Sequence, residues 1–180
     1  MAIISAFSII RALSLFHLTL AFYFLTSPKT IANQNVVFLL GESMRLPTPT
    51  VFFKPSAATA FTAVILAFLA ISDLTAVSLP EEYAYIYWGT QTPVRLVFLF
   101  AITGYTYMFK EGGIFAAKGL GYTPGAGEHL KNSVVFTWGF LELATWFWVF
   151  VTLRDERRQK AYRLIEKRKA EMERMEGMSL

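Results

Sequence analysis

Of 180 residues, 54% are hydrophobic and only 17% charged, with 17 Phe, 8 Tyr and 4 Trp. This charge content lies well below the roughly 25% of a soluble globule, and the apolar residues come in long blocks, which argues against a water-exposed enzyme core. Without any Cys the chain has no disulfide framework, thiolate nucleophile or Cys-ligated zinc or iron–sulfur site, and its net charge of +4 belongs to a tail, since nine of the 17 basic residues follow Thr152.

The first apolar block, residues 3–25, spans about 34 Å as a helix, enough for a hydrocarbon core of roughly 30 Å. A cleaved signal peptide would need a basic start, a shorter apolar centre and a small-x-small cleavage site; Arg11 instead sits inside the block and Phe22-Tyr23-Phe24-Leu25 closes it, so an uncleaved helix is expected. Between the first and second blocks, residues 35–53 are apolar but short, and Pro47, Pro49 and Pro55 forbid one helix through to the next block. A re-entrant or interfacial segment is expected there, since irregular backbone cannot face lipid.

The second block, Pro55 to Leu79, places Pro55 at a first helical position and Pro80 at the stop. Ala57, Ala60, Ala63, Ala67 and Ala70 recur at spacings of three and four, a stripe that allows close approach of a neighbouring helix in lipid. The third block, Pro93 to Phe109, is short for a span and leans on flanking residues at the interface. In the fourth, Ser133 to Leu153, stand Trp138, Trp146 and Trp148, read as an interfacial belt. The expected fold is therefore an all-α membrane protein of four transmembrane helices with a basic cytosolic C-terminal helix: residues 1–158 form the membrane domain and 159–180 a charged tail. The Gly-rich stretch 110–131 lacks a P-loop and the strand–turn–helix context of a nucleotide site.

Four spans put both termini on one side, and the basic tail makes that side cytosolic. Arg154, Arg157, Arg158, Lys160 and Arg163 are candidates for contact with anionic headgroups, at about 1 kcal/mol each near the surface. A DNA-binding role is not expected of so short a tail, which carries acids throughout and no nucleic-acid fold.

Five ionisable residues lie inside the apolar blocks: Arg11, His17, Asp73, Arg95 and Glu142. Charges at that depth are costly and face protein, an aqueous cavity or the interface. Arg11 and Glu142 both fall near the middle of their blocks and suggest a pair between the first and fourth helices, with a partner subunit or a lipid or ion cavity as alternatives. Asp73 and Arg95 flank one short loop and suggest a pair that locks a hairpin. His17 points to a different face from Arg11 and is read as a hydrogen-bonding structural residue. Asp73 and Glu142 sit at different depths, no G-x-S-x-G elbow is present, and no H-E-x-x-H occurs. No catalytic residue, metal or cofactor is therefore assigned.

The opening MAIISAFSIIRALSLFHLTLAFYFLTSPKTIANQNVVFLLGESM, the segment LPTPTVFF, the second block ending ISDLTAVSLPEEYAYIYW, TPVRLVFLF, and VVFTWGFLELATWFWVFVTLRDERR together resemble the fungal family named for increased loss of mitochondrial DNA, over about residues 1–158. The resemblance implies a small four-span protein of the endoplasmic reticulum with an indirect mitochondrial DNA phenotype. It implies no reaction and no catalytic residues, and the mitochondrial membrane is the alternative location. The function expected is an accessory or structural subunit supporting a membrane complex or lipid homeostasis. The alternatives are a lipid-binding protein, an oligomeric channel or transporter component, or an atypical intramembrane enzyme. The expected partners are membrane lipids and a membrane protein, without nucleic acid, and homo-oligomerisation stays open.

Overall fold

In the computed structural model, which describes residues 4–115 and 127–178, the Ser5 hydroxyl accepts from the Ser8 amide (3.3 Å) and starts helix α1, Ala6–Thr26. Pro28 cannot extend that helix and instead occupies the first position of α2, Pro28–Ala32. Helix α3, Asn35–Ser43, ends in a reciprocal carbonyl-capping turn: Arg45 N–H donates to Glu42 (3.0 Å) and Leu46 N–H to Gly41 (2.8 Å). This motif needs a left-handed residue, and here Arg45, at φ 50°, takes the place usually given to Gly. A short 3-10 turn, Thr50–Phe53, precedes α4, Ala57–Val77. Ser56 and Thr59 exchange side-chain to backbone hydrogen bonds at its start, so Ser56 is the cap and Pro55 lies outside the helix that the sequence had Pro55 begin. Helix α5 runs over Glu81–Met108 and α6 over Ser133–Met178. Of the Gly-rich stretch 110–131, residues 116–126 lie outside the described residues.

Three helices are long and apolar enough to cross a membrane, α1, α4 and the first part of α6. The span expected from the third block, α5, is corrected. It does not begin at Pro93 but runs unbroken for 28 residues through it, and the added turns bring Glu81, Glu82, Gln91 and Thr92 together with Ala84, Ile86 and Trp88. Its polar groups turn inward: Thr92 and Thr106 are fully buried while Val97 and Phe100 stand at the outer surface. The expected segment between α1 and α4 takes the form of α2 and α3, which fold over the end of the bundle. Gly41 is required there, because a Cβ would come within 2.7 Å of Ser133 Cβ at the start of α6.

The long helices run antiparallel, α1 packing on α4 and α5 on α6. Ala63 and Ala70 of the alanine stripe are buried, as expected for close packing, whereas Ala57 is exposed. Two apolar cores result. One gathers Ile9, Ile10, Val77, Trp88, Val149 and Leu153 at the end holding the start of α1; the other gathers Ala21, Phe24, Val37, Ala63, Leu66 and Val134 under α2 and α3.

The first end is tied by Glu156. Its Oε1 accepts from the Ala6 amide (3.0 Å) and its Oε2 from the Tyr85 hydroxyl (2.8 Å), and burial together with this carboxylate pushes the Tyr85 pKa upward. The start of α1 and the root of the tail thus share one end of the bundle. Beyond it α6 continues as a single helix, about 69 Å in all, with every residue from Ala161 to Met175 exposed. Because none of the described residues packs on that extension, removing residues 164–180 is expected to leave membrane insertion and the thermal midpoint in detergent unchanged within error, measured by carbonate extraction and a melting assay.

Candidate functional site

Helix α6 places Glu142 and Trp146 one turn apart on its inner face, and the two interact directly: the Trp146 indole N–H donates to Glu142 Oε2 (3.0 Å). The other oxygen, Oε1, receives the His17 imidazole from α1, with Nε2 at 2.6 Å. Both residues are buried, at 1% and 4% exposure. Glu142 therefore pairs with His17. The Arg11–Glu142 contact is corrected, since Arg11 lies on the exposed face of α1. The reason is geometric: the six-residue offset puts His17 and Arg11 on different faces of α1, and the face carrying Ile10, Leu13, Ser14 and His17 is the one packed inward.

Asp73 and Arg95 meet in a two-pronged contact, Nη1 to Oδ2 at 2.7 Å and Nη2 to Oδ1 at 2.6 Å, joining α4 to α5. The guanidinium also lies 4.5 Å from the Trp146 ring centre and 5.2 Å from that of Trp88, and these two indoles are stacked at 5.6 Å. Trp146, only 1% exposed, is thus a core residue and not part of an interfacial belt. The His17–Glu142 and Asp73–Arg95 pairs belong to one continuous seam, His17–Glu142–Trp146–Arg95–Asp73, which passes through all four long helices. The spacing of Glu142 and Trp146 by four was the signal available in the sequence for part of it. The stacking of Trp88 on Trp146 had none, because it depends on the pairing of α5 with α6.

The tail residues divide. Arg157 donates to the Tyr85 carbonyl, and Lys160 pairs with Glu81 and lies 4.1 Å over the Tyr85 ring, so these two hold α6 to α5. Arg154, Arg158 and Arg163 are exposed.

Beside the seam, α1, α4 and α6 leave an open cleft of about 530 Å³ under α2 and α3. Phe16, Leu20, Phe24, Ile65 and Leu66 form its walls, and Thr137, Trp138 and Glu142 of α6 line it as well. Sequence reasoning missed this cleft, which is assembled from side chains more than 100 residues apart and has no local pattern. Thr137 Oγ1 and Trp138 Nε1 are buried without a hydrogen-bond partner among the described residues. Among the described residues no three His, Asp or Glu side chains gather into a metal site.

The family model for "Increased loss of mitochondrial DNA protein 1", Ilm1, matches residues 4–163. The chain belongs to this family. Among curated proteins it is similar to "Protein ilm1" of Schizosaccharomyces pombe (strain 972 / ATCC 24843), 27% identical over 152 residues that cover 82% of each chain. No solved structure matches it. The family match ends at residue 163, where the helix has already left the bundle, so the matched region contains the whole seam and the cleft.

Removing one member of a buried charged pair leaves the other desolvated and typically costs about 3–5 kcal/mol. Asp73→Ala and Glu142→Leu are each expected to lower stability by about that amount, whereas Arg11→Ala is expected to cost under about 1 kcal/mol, measured by denaturant titration in detergent. In a double-mutant cycle, His17→Leu with Glu142→Leu is expected to recover part of the single losses; His17→Leu and Arg11→Leu combined with Glu142→Leu giving equal coupling would overturn the assignment of the partner.

Proposed function

We propose that the chain is a small integral membrane accessory or structural subunit of the endoplasmic reticulum membrane, supporting a membrane complex or lipid homeostasis, with an indirect effect on mitochondrial DNA. The observation that carries this reading is that the internal ionisable side chains of the seam bind one another. Asp73 and Arg95 spend their charges on a two-pronged contact, and Glu142 is held between His17 and Trp146. Groups consumed in this way hold helices in register and are not poised for a reactant. The family's printed description ties it to loss of mitochondrial DNA, and a membrane-embedded bundle acts on DNA only at a distance.

We place both termini in the cytosol, in keeping with the shared end of the bundle and the basic root of α6. Arg11, exposed on α1 about 8 Å beyond Ala6, reaches headgroup phosphates by extending along the helix, as long cationic side chains near helix ends do. Exposed apolar faces, including Phe61, Phe68, Val97 and Phe100, are available to lipid or to a membrane partner. The cleft favours a second reading within the same scheme, in which lipid homeostasis is served by binding a lipid.

A C-terminally tagged chain, expressed from its own promoter and extracted in mild detergent, is expected to bring down a membrane protein in stoichiometric amount and to colocalise with an endoplasmic reticulum marker. A lone chain in repeated preparations would count against the accessory reading, and enrichment with mitochondrial membranes would move the location.

A further inference from the structure

We propose that the cleft between α1, α4 and α6 is a binding site for a neutral lipid carrying a free hydroxyl group, of the sterol or diacylglycerol class, with that hydroxyl seated between Trp138 and Glu142. The cleft's volume, about 530 Å³, lies within the roughly 300–1,000 Å³ of ordinary ligand pockets. Its walls are aromatic and aliphatic, and among the described residues no Lys or Arg lines it. A phosphate or carboxylate headgroup would enter without a counter-charge and face the Glu142 carboxylate, which makes an anionic lipid the wrong occupant.

The polar atoms at the cleft narrow the choice further. Trp138 and Glu142 stand one turn apart on α6 and both line it. The Trp138 indole N–H is buried and lacks an acceptor. The Glu142 carboxylate, 4% exposed, takes one hydrogen bond from His17 and one from Trp146, while an ionised carboxylate offers about four acceptor positions. An unused donor and an acceptor with spare capacity are thus carried one helical turn apart on α6. A hydroxyl accepts from the first and donates to the second; an ester or ketone can only accept, and an ammonium can only donate. Thr137, whose buried Oγ1 is also without a partner, adds a second hydroxyl at the same wall.

Depth supports a small head. Trp138 and Glu142 lie about 8 and 14 Å along α6 from Ser133, where a hydroxyl can be satisfied by two side chains and a hydrated headgroup cannot. Ile31, Gln34 and Val37, from α2, the link to α3 and α3, together with Phe52, line the cleft at the end covered by α2 and α3, and the entrance we assign to a lipid is the side facing the bilayer.

This inference deepens the lipid arm of the reading above, and it is tested on the purified chain alone, so that the lack of a copurifying subunit leaves it untouched. Full-length protein in phosphatidylcholine nanodiscs is exposed to a photoreactive sterol bearing a free 3-hydroxyl. The competitors are unlabelled sterol, dioleoylglycerol, the sterol methyl ether and phosphatidylserine. Saturable labelling of cleft residues is expected, competed by sterol or by diacylglycerol; whichever competes better names the source. The methyl ether, which keeps the acceptor and loses the donor, is expected to compete about 3- to 10-fold more weakly, the effect of one lost hydrogen bond. Trp138→Phe should weaken labelling by a similar factor with the melting temperature unchanged, because the deleted N–H has no protein partner. Leu20→Trp, which fills the cleft, should abolish labelling. Equal competition by methyl ether or phosphatidylserine, labelling that survives Leu20→Trp in folded protein, or no saturable labelling would overturn the proposal; if Leu20→Trp fails to fold, the competitor series and Trp138→Phe decide.

Discussion

The seam from His17 through Glu142, Trp146 and Arg95 to Asp73 is the constraint on which the bundle depends. Each apolar core packs one end of the molecule, but apolar packing tolerates a rotation or a slide of one helix along another, particularly in lipid, where tails solvate a Leu as well as another helix does. Directional contacts do not tolerate it. A 2.6 Å imidazole–carboxylate contact and a two-pronged guanidinium–carboxylate contact fix the heights of α1 against α6 and of α4 against α5. Arg95, held between its carboxylate and the faces of Trp88 and Trp146, joins the two halves. The helices of α1 and α4 on one side and α5 and α6 on the other form the tightest pairs, so the seam matters most where packing is thinnest.

Such a seam is not a source of large net stability. Desolvating a charged pair costs about what its attraction returns, and an apolar replacement of the whole is often as stable. What the seam imposes is register: an alternative arrangement of the helices would strand a charge in the interior at several kcal/mol. The same logic accounts for α5. Its polar residues keep it from having the apolar run of α1, α4 and the first part of α6, yet several of them face the interior, where Thr92 donates to the Trp88 carbonyl (2.7 Å) and Arg95 reaches Asp73. A helix can be at home in a bundle because its polar groups are satisfied there, without being apolar enough to cross by composition.

This separates what was legible in the sequence from what was not. Apolar run length reads directly as helix, and α1, α4 and the first part of α6 fall where the runs are. Asp73 and Arg95 were legible as neighbours because a short loop joins their helices. Glu142 was assigned to Arg11 because depth along a run was the only coordinate available, and depth says nothing about which face is inward; the apolar stripe of Ile10, Leu13 and His17 decided that, and Arg11 lies off it. Proline often opens a helix, which makes Pro93 a boundary by sequence, but α5 runs through it. The cleft had no linear signature at all.

The position of the cleft follows from the same constraint. Glu142 belongs to both structures, as the central acceptor of the seam and as part of the cleft's lining. Because His17 and Trp146 hold the carboxylate from two sides, its remaining acceptor positions point in fixed directions and cannot turn away to another partner. The neighbouring indole of Trp138 is carried on the same helix, one turn nearer the end covered by α2 and α3. A donor and an acceptor whose separation is set by a single helical turn form a rigid pair, and rigidity lowers the ordering cost that binding must overcome. The seam that fixes the register of the helices also holds the one carboxylate it shares with the cleft, so a displacement of α1 against α6 would disturb both at once.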